Sequence, residues 1–257
     1  MLNIGLVLPD VLGTYGDDGN ALVLRQRARM RGLDAEIHPI RLGEPVPETL
    51  DIYTIGGGED TAQILAAEHL IADGGLTRAA TSGRPILAIC AGLQVLGESF
   101  RASGRIIDGV GLIDATTAGM QDRAIGEVSS APTGAGVTAD LTEPLTGFEN
   151  HLGATILGPS AQPLGTLTRG NGNADRAATE DLADGSTQRT YEGAVQGSVI
   201  ATYMHGPALA RNPQLADLLL AQAMGVSLAD LDPLDIPAVD RLRTERFNAA
   251  EPPRSQR

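Results

Sequence analysis

The chain has 257 residues, of which 42% are hydrophobic and 20% charged, enough for a packed core of one domain or at most two. Its net charge of −13 disfavours nucleic acid or an anionic membrane surface as a partner, since both require a basic footprint. All 19 basic residues are arginine, which excludes a P-loop lysine, a Schiff-base lysine and a catalytic lysine.

Taken in chain order, residues 2–8 form an apolar run stopped by Pro9 and read as a buried strand. A loop rich in glycine and aspartate follows, then a helix over 21–31 stopped by Gly32. Strands are expected at 35–40, 52–55 and 86–89, with helices at 61–72 and 91–99 between and after them. Strand and helix alternating in this way predict an α/β fold, a mostly parallel sheet with helices on both faces. The second half reads as strand-rich, with short runs such as 106–113 and 124–128. Residues 168–193 are polar and expected to form an exposed excursion. A strand at 199–203 precedes a helix over 213–224, with Asn212 as its N-cap and Pro213 at its first position. A last helix is expected at 238–248. Without a repeat or a clear linker, residues 1–250 read as one domain and 251–257 as a disordered tail.

Cys90 is the only cysteine, so an internal disulfide and a zinc-type cysteine cluster are excluded and a reducing cytoplasm fits. No apolar run spans a bilayer, and Met1-Leu2-Asn3 lacks the basic opening of a signal peptide, so a cytoplasmic location is expected. Neither a metal nor a cofactor is expected.

The strongest local pattern is Ala88-Ile89-Cys90-Ala91-Gly92-Leu93-Gln94. A strand meets a helix at a cysteine flanked two residues away on each side by Ala88 and Gly92, the small residues that a sharp nucleophile turn requires. The sulfur then sits at a helix N-terminus, where thiolate is favoured. The competing reading is a cysteine buried as a small hydrophobe. Gly56-Gly57-Gly58, one strand–helix unit earlier, leaves backbone N–H groups unshielded. An N–H at Gly58 and that of Ala91 could meet at one oxyanion, although a glycine triplet also suits a plain turn. His205, just past the strand at 199–203, is the expected base, because catalytic groups gather at the carboxyl ends of strands. His38 falls in a strand and His69 in a helix, while His151 after Glu149-Asn150 is a rival.

The elbow at Cys90 with Gln94, the glycine loop and the late His205 resemble class I glutamine amidotransferases of the cobyric-acid-synthase-like branch. The stretches Tyr15-Gly16-Asp17-Asp18-Gly19-Asn20, Gly147-Phe148-Glu149-Asn150-His151 and Tyr203-Met204-His205-Gly206-Pro207 narrow the likeness to the glutaminase subunits that serve amidation of lipid II. The resemblance implies a flavodoxin-like fold and a heterodimer with a Mur-ligase-like synthetase subunit. Here, glutamine is hydrolysed through a thioester on Cys90. The partner activates the D-glutamate α-carboxyl of lipid II with ATP, and ammonia converts it to D-isoglutamine for peptidoglycan. The resemblance also gives Arg123 as a ligand of the glutamine α-carboxylate, with Gln94 and Gly57 near the substrate. A surface role for Arg123 and a packing role for Gln94 stand beside these readings.

Two positions depart from the family pattern. Most class I enzymes carry an acid two residues after the histidine, where this chain has Pro207. The resemblance therefore suggests an aspartate supplied by the partner, and a chain that is a poor glutaminase alone. Asp17 and Asp18 read as helix caps or as partner contacts. The family also continues past His151 with a Gly-Arg pair, where this chain has Gly153-Ala154. The alternatives are a glutaminase for a corrinoid-type acceptor, a degenerate binding or regulatory module, and a stand-alone cysteine hydrolase or chaperone.

Overall fold

The structure is a computed structural model that describes residues 1–248, so the expected tail at 251–257 lies outside the described residues. β1 (Leu2–Val7) leads through a long loop to α1 (Gly19–Met30), β2 (Ala35–Ile40) and β3 (Ile52–Ile55). α2 (Asp60–Asp73) ends at Gly74, which is left-handed at φ 68°. α3 (Gly75–Thr81) was not expected; its local propensity is weak, and the burial of Leu76 and Ala79 forms it. β4 (Ile86–Ile89) then runs into α4 (Ala91–Leu96). This helix stops three residues short of the expected 99. Gly97 turns extended at ψ −175°, and β5 (Ser99–Ala102) begins at Ser99.

β6 (Arg105–Asp108) pairs with β5 as a hairpin; the expected strand to 113 is cut short by Gly109 and the left-handed Gly111. The run expected at 124–128 is the middle of a far longer strand, β7 (Ala115–Pro132). β8 (Leu145–Leu157) pairs antiparallel along it, with an irregularity between Gly119 and Ala124. β9 (Gly165–Arg169), α5 (Arg176–Thr179), α6 (Gly185–Gln188) and β10 (Tyr191–Glu192) follow. The segment 168–193 is therefore not simply an exposed excursion. Asn173, Thr179, Gln188 and Glu192 are buried in it, and their hydrogen bonds make that burial tolerable. β11 (Ala194–Gln196), β12 (Val199–Thr202), α7 (Ala208–Arg211), α8 (Pro213–Met224) and α9 (Pro237–Phe247) complete the described chain.

The first sheet has the order β11-β12-β4-β3-β1-β2, parallel except for β11. β3, β4 and β12 are buried at every residue, which is why they read as unbroken apolar runs. The second sheet, β10-β9-β7-β5-β6 with β8 on β7, is mainly antiparallel. The architecture is α/β as expected, with helices packed on the parallel sheet. The second sheet is the part that the sequence reading left undivided.

Candidate active site

Four neighbouring parallel strands, in the order β12-β4-β3-β1, deliver the site from their carboxyl ends. β4 ends directly in Cys90, whose φ of 53° and ψ of −105° lie in a region that side chains seldom occupy. The strain is held by Cys90 N donating to Thr202 O at 2.8 Å and by Gln94 N donating to Cys90 O at 3.2 Å. Gly92 is required here, since a Cβ would stand 3.0 Å from Ile55 O. The turn is the elbow that the spacing predicts.

β12 leads through Tyr203 and Met204 to His205, which is 2% exposed. Phe148 of β8 fixes the histidine backbone from the second sheet: Phe148 N donates to His205 O, and His205 N to Phe148 O at 2.9 Å. The imidazole Nδ1 lies 3.0 Å from both carboxylate oxygens of Asp17. Its Nε2 is buried without a hydrogen-bond partner among the described residues, and Cys90 is close enough to favour the imidazolium. Catalytic contacts of this kind often tighten only around substrate. Burial by itself would depress the imidazole. The hydrogen bond with Asp17, the nearby Cys90 and the charges of both groups outweigh it and push His205 up to about 10.

This arrangement bears on two expectations. An acid of this chain, Asp17, faces His205. Asp17 is neither a cap nor a surface contact: it is 2% exposed, and no side-chain cap bond is made at the start of α1, where Asp18 holds the N-cap position. Asn212 likewise holds the N-cap position of α8 without capping it; its side chain instead joins Thr146 and Ala208 O.

The glycine loop follows β3. Gly57 N donates to Asp17 Oδ2 at 2.9 Å, so this N–H is not open to substrate, and the expectation of a substrate contact there is revised. What Gly57 offers is room: a Cβ would lie 3.1 Å from His205 Cε1, 3.1 Å from Asp17 Oδ2 and 3.5 Å from Cys90 Cβ. Gly58 borders the cleft beside Cys90, and Ala91, opening α4, has no intrahelical acceptor for its N–H.

A cleft of about 250 Å³ opens over Cys90. Its floor is the glycine loop and elbow; its walls are β7, β8 and the β5–β6 hairpin of the second sheet. Arg123 lines it, exposed, with Nε donating to Asn150 Oδ1 at 2.7 Å. Gln94 lines it too, though its Nε2 donates to Tyr203 Oη at 3.1 Å, and Gly153 admits that amide because a Cβ would come within 2.1 Å of it. The Tyr203 hydroxyl pairs with Thr155 Oγ1 at 2.6 Å, and burial pushes its pKa up, so it remains a phenol. His151, the rival base, borders the same cleft, and its Nε2 is buried without a hydrogen-bond partner among the described residues. It stacks on Tyr203 with ring centroids 3.7 Å apart, and Nδ1 pairs with Gly153 O at 2.9 Å.

Among the cleft residues that the sequence reading did not assign are Tyr15, Arg101 and Asn150. Tyr15 has a φ of 61° and packs edge-on to the His205 ring at 5.0 Å. Arg101 and Asn150 face the same space. Tyr15 and Asn150 stood in stretches already singled out, but nothing local to them says that they meet. Arg101 carries no sequence signal at all.

The geometry is that of a cysteine hydrolase centre on a doubly wound sheet. Residues 3–213 match the CobB/CobQ-like glutamine amidotransferase domain. The lipid II isoglutaminyl synthase (glutamine-hydrolyzing) subunit GatD of Streptococcus pneumoniae is 33% identical over 227 residues, covering 87% of this chain and 80% of that protein. The GatD subunit of Staphylococcus aureus is 33% identical over 86% of this chain and 84% of that protein. The cobyric acid synthase of Sphingopyxis alaskensis is 30% identical over 70% of this chain but only 33% of its own length. Among solved structures, a glutamine amidotransferase superposes with a TM-score of 0.54 at 18% identity, covering 86% of this chain and 98% of that one. The glutaminase domain of Trypanosoma brucei CTPS gives 0.50 at 12% identity, over 88% and 95%; both are likenesses of fold. The chain belongs to the CobB/CobQ-like glutamine amidotransferase family and is a glutamine amidotransferase. Among the described residues no helix is long and apolar enough to cross a membrane.

Proposed function

We propose that this chain is the glutaminase subunit of a lipid II isoglutaminyl synthase. It would release ammonia to a Mur-ligase-like synthetase of the MurT type, which amidates the D-glutamate α-carboxyl of lipid II. The observation that carries the chemistry is the convergence of Cys90 and His205 at adjacent strand ends, with Cys90 opening into a cleft that Arg123 lines. Likeness to the two GatD subunits over most of their length supports the acceptor. The absence of lysine supports the division of labour, since a P-loop cannot be built in this chain.

In this reading Arg123 receives the glutamine α-carboxylate, which a guanidinium grips in two-pronged fashion. Cys90 thiolate attacks the side-chain amide carbon, and the N–H groups of Gly58 and Ala91 take the oxyanion. The C–N bond breaks as His205 gives its Nε2 proton to the departing nitrogen, releasing ammonia and leaving a γ-glutamyl thioester. His205 then takes a proton from water, hydroxide displaces the sulfur, and glutamate leaves with Cys90 again a thiolate.

The test is ammonia and glutamate release from glutamine by the chain alone and with its synthetase subunit, followed by amidation of a lipid II analogue with ATP. Cys90→Ala is expected to reduce release by roughly 10⁴-fold or more. A folded chain that releases no ammonia in either state would leave a binding module as the better reading. Ammonia release without amidation of lipid II would point to another acceptor.

A further inference from the structure

We infer that Tyr15 is a positioning residue for the second half of the reaction, an aromatic cover that seats the His205 ring so that it can activate water against the thioester. The inference rests on the glutaminase reading above and adds a residue to it.

The backbone of Tyr15 lies at a φ of 61°, in the left-handed region that a bulky residue seldom enters and keeps only where its surroundings dictate it. Gly16 follows at a φ of 77°, so the chain turns sharply through two successive left-handed residues. Both sides of the turn are tied down. Before it, Leu12 is fully buried, and Thr14 N donates to Gly57 O at 3.1 Å, which joins this segment to the glycine loop. After it, Asp17 is held by Gly57 N and His205 Nδ1. A turn fixed at both ends leaves the tyrosine side chain little choice of direction.

That direction is onto the base. The two ring centroids are 5.0 Å apart with planes at 63°, an edge-on contact. Tyr15 is 48% exposed, whereas the His205 side chain is only 3% exposed, and Tyr15 lines the cleft over Cys90. The tyrosine therefore stands between solvent and the base. About half of the residue stays in water, so core packing does not account for its strained backbone; contact with His205 does. Asp17 at Nδ1, Gly57 near Cε1 and Tyr15 across the ring thus seat the imidazole from three sides.

The two halves of the reaction ask different things of that ring. In the first, His205 gives a proton to a nitrogen already bound to the substrate. In the second, it must line up a free water, take its proton and direct the hydroxide at the thioester carbon, so a loosened base is felt most there. Hydroxylamine attacks the same thioester, forms the γ-glutamyl hydroxamate and frees the Cys90 sulfur. As the stronger nucleophile it needs less help from a base. The ratio of hydroxamate to glutamate therefore reports on the seating of His205 and does not depend on how much folded enzyme is present.

The experiment compares wild type, Tyr15→Gly and Tyr15→Phe on glutamine at a fixed hydroxylamine concentration, with the synthetase subunit present. Glycine removes the ring and suits the left-handed backbone, while phenylalanine keeps the ring. Tyr15→Gly is expected to raise the hydroxamate-to-glutamate ratio about 10-fold and to lower kcat for glutamate release by roughly 10–100-fold with little change in KM. Tyr15→Phe should stay close to wild type. An unchanged product ratio in Tyr15→Gly overturns the proposal. Should that variant not fold, Tyr15→Asn, which also tolerates the left-handed backbone, takes its place with the same expectations. A second readout needs no turnover. Cys90 is the only cysteine, so its rate of alkylation by a bulky maleimide relative to iodoacetamide reports access alone, because both reagents consume the same thiolate. Loss of the ring should raise that relative rate. If wild type forms neither product, the glutaminase reading falls and alkylation decides the other: a raised relative rate keeps Tyr15 as the cover of the site, and an unchanged one rejects it.

Discussion

At the scale of single residues, His205 is poised by opposing influences. Burial disfavours its cation, while Asp17 at Nδ1 and the nearby Cys90 favour it, and the cation prevails until about pH 10. Two of the favourable influences belong to Cys90, so Cys90→Ala should lower the histidine's titration midpoint. An NMR titration of the ring in both proteins checks this, and superimposable curves would contradict it. The sign follows from the raised value: the cation's contribution to stability is full below the ordinary histidine range and is lost as pH rises through about 10. Arg123 supports a different expectation. Its role is to hold the α-carboxylate through ground and transition states alike. Arg123→Ala should therefore raise KM for glutamine by roughly 10–100-fold while kcat changes much less. Arg123→Lys should recover only part, because an ammonium lacks the planar fork. An unaltered KM would return Arg123 to the surface role that its exposure also allows.

At the scale of elements, what matters is how closely strand ends are packed together. Gly57→Ala puts a methyl 3.1 Å from both His205 and Asp17, groups that are themselves fixed by hydrogen bonds. Displacement of the base by a few tenths of an ångström should lower kcat at least about 10-fold with the fold retained by circular dichroism; wild-type kcat would show that the loop yields elsewhere. Helices α1 and α8 are joined differently. Asp217 accepts from Arg27 at 2.7 and 2.6 Å and from Arg31 at 3.0 and 2.8 Å, all largely buried. Asp217→Asn leaves two buried guanidiniums facing a neutral group, and should cost about 3–5 kcal/mol in urea unfolding. Glu48→Gln, at the exposed pair with Arg78, should cost under about 1 kcal/mol. Equal losses would mean that burial does not set the strength of these pairs.

These same elements show what could be read from the chain alone. β3, β4 and α8 fall where the sequence places them, because strands buried on both faces and a helix opened by proline carry local signals; the edge strand β2 falls there too, with only its two end residues buried. The Cys90 elbow was legible for the same reason: its requirement for small neighbours is confined to five residues. β8 escaped notice because its buried side chains include Glu149, His151 and Thr155, polar groups made tolerable by partners far away in sequence. Asp17 was singled out yet misassigned, since its partner lies 188 residues on and only the order of the strands brings them together.

For the whole molecule, the two sheets meet at the site, and their junction is polar. Phe148 of the second sheet pairs with His205, Thr155 with Tyr203, and Glu192 with both Thr202 Oγ1 and Tyr203 N. Glu192 is fully enclosed, and its Oε2 has no partner. Burial pushes its pKa from 4.5 up to about 7; the hydrogen bonds from Thr202 and Tyr203 pull the other way, and the charge of Glu149 adds to the rise. A raised acid reverses the usual carboxylate behaviour. Between 4.5 and about 7 the folded chain keeps a proton that the unfolded chain has lost, so this group makes stability fall as pH rises through that window and leaves it level above. Glu192→Gln keeps an oxygen to accept both hydrogen bonds and cannot ionise. Relative to wild type it should therefore gain stability across the window, by up to about 3 kcal/mol, and the gain should be absent in acid below it. Urea unfolding of both proteins across this range measures the gap. Curves that stay parallel would show that Glu192 is ionised in the fold, and that the junction between the sheets carries a buried negative charge close behind the catalytic histidine.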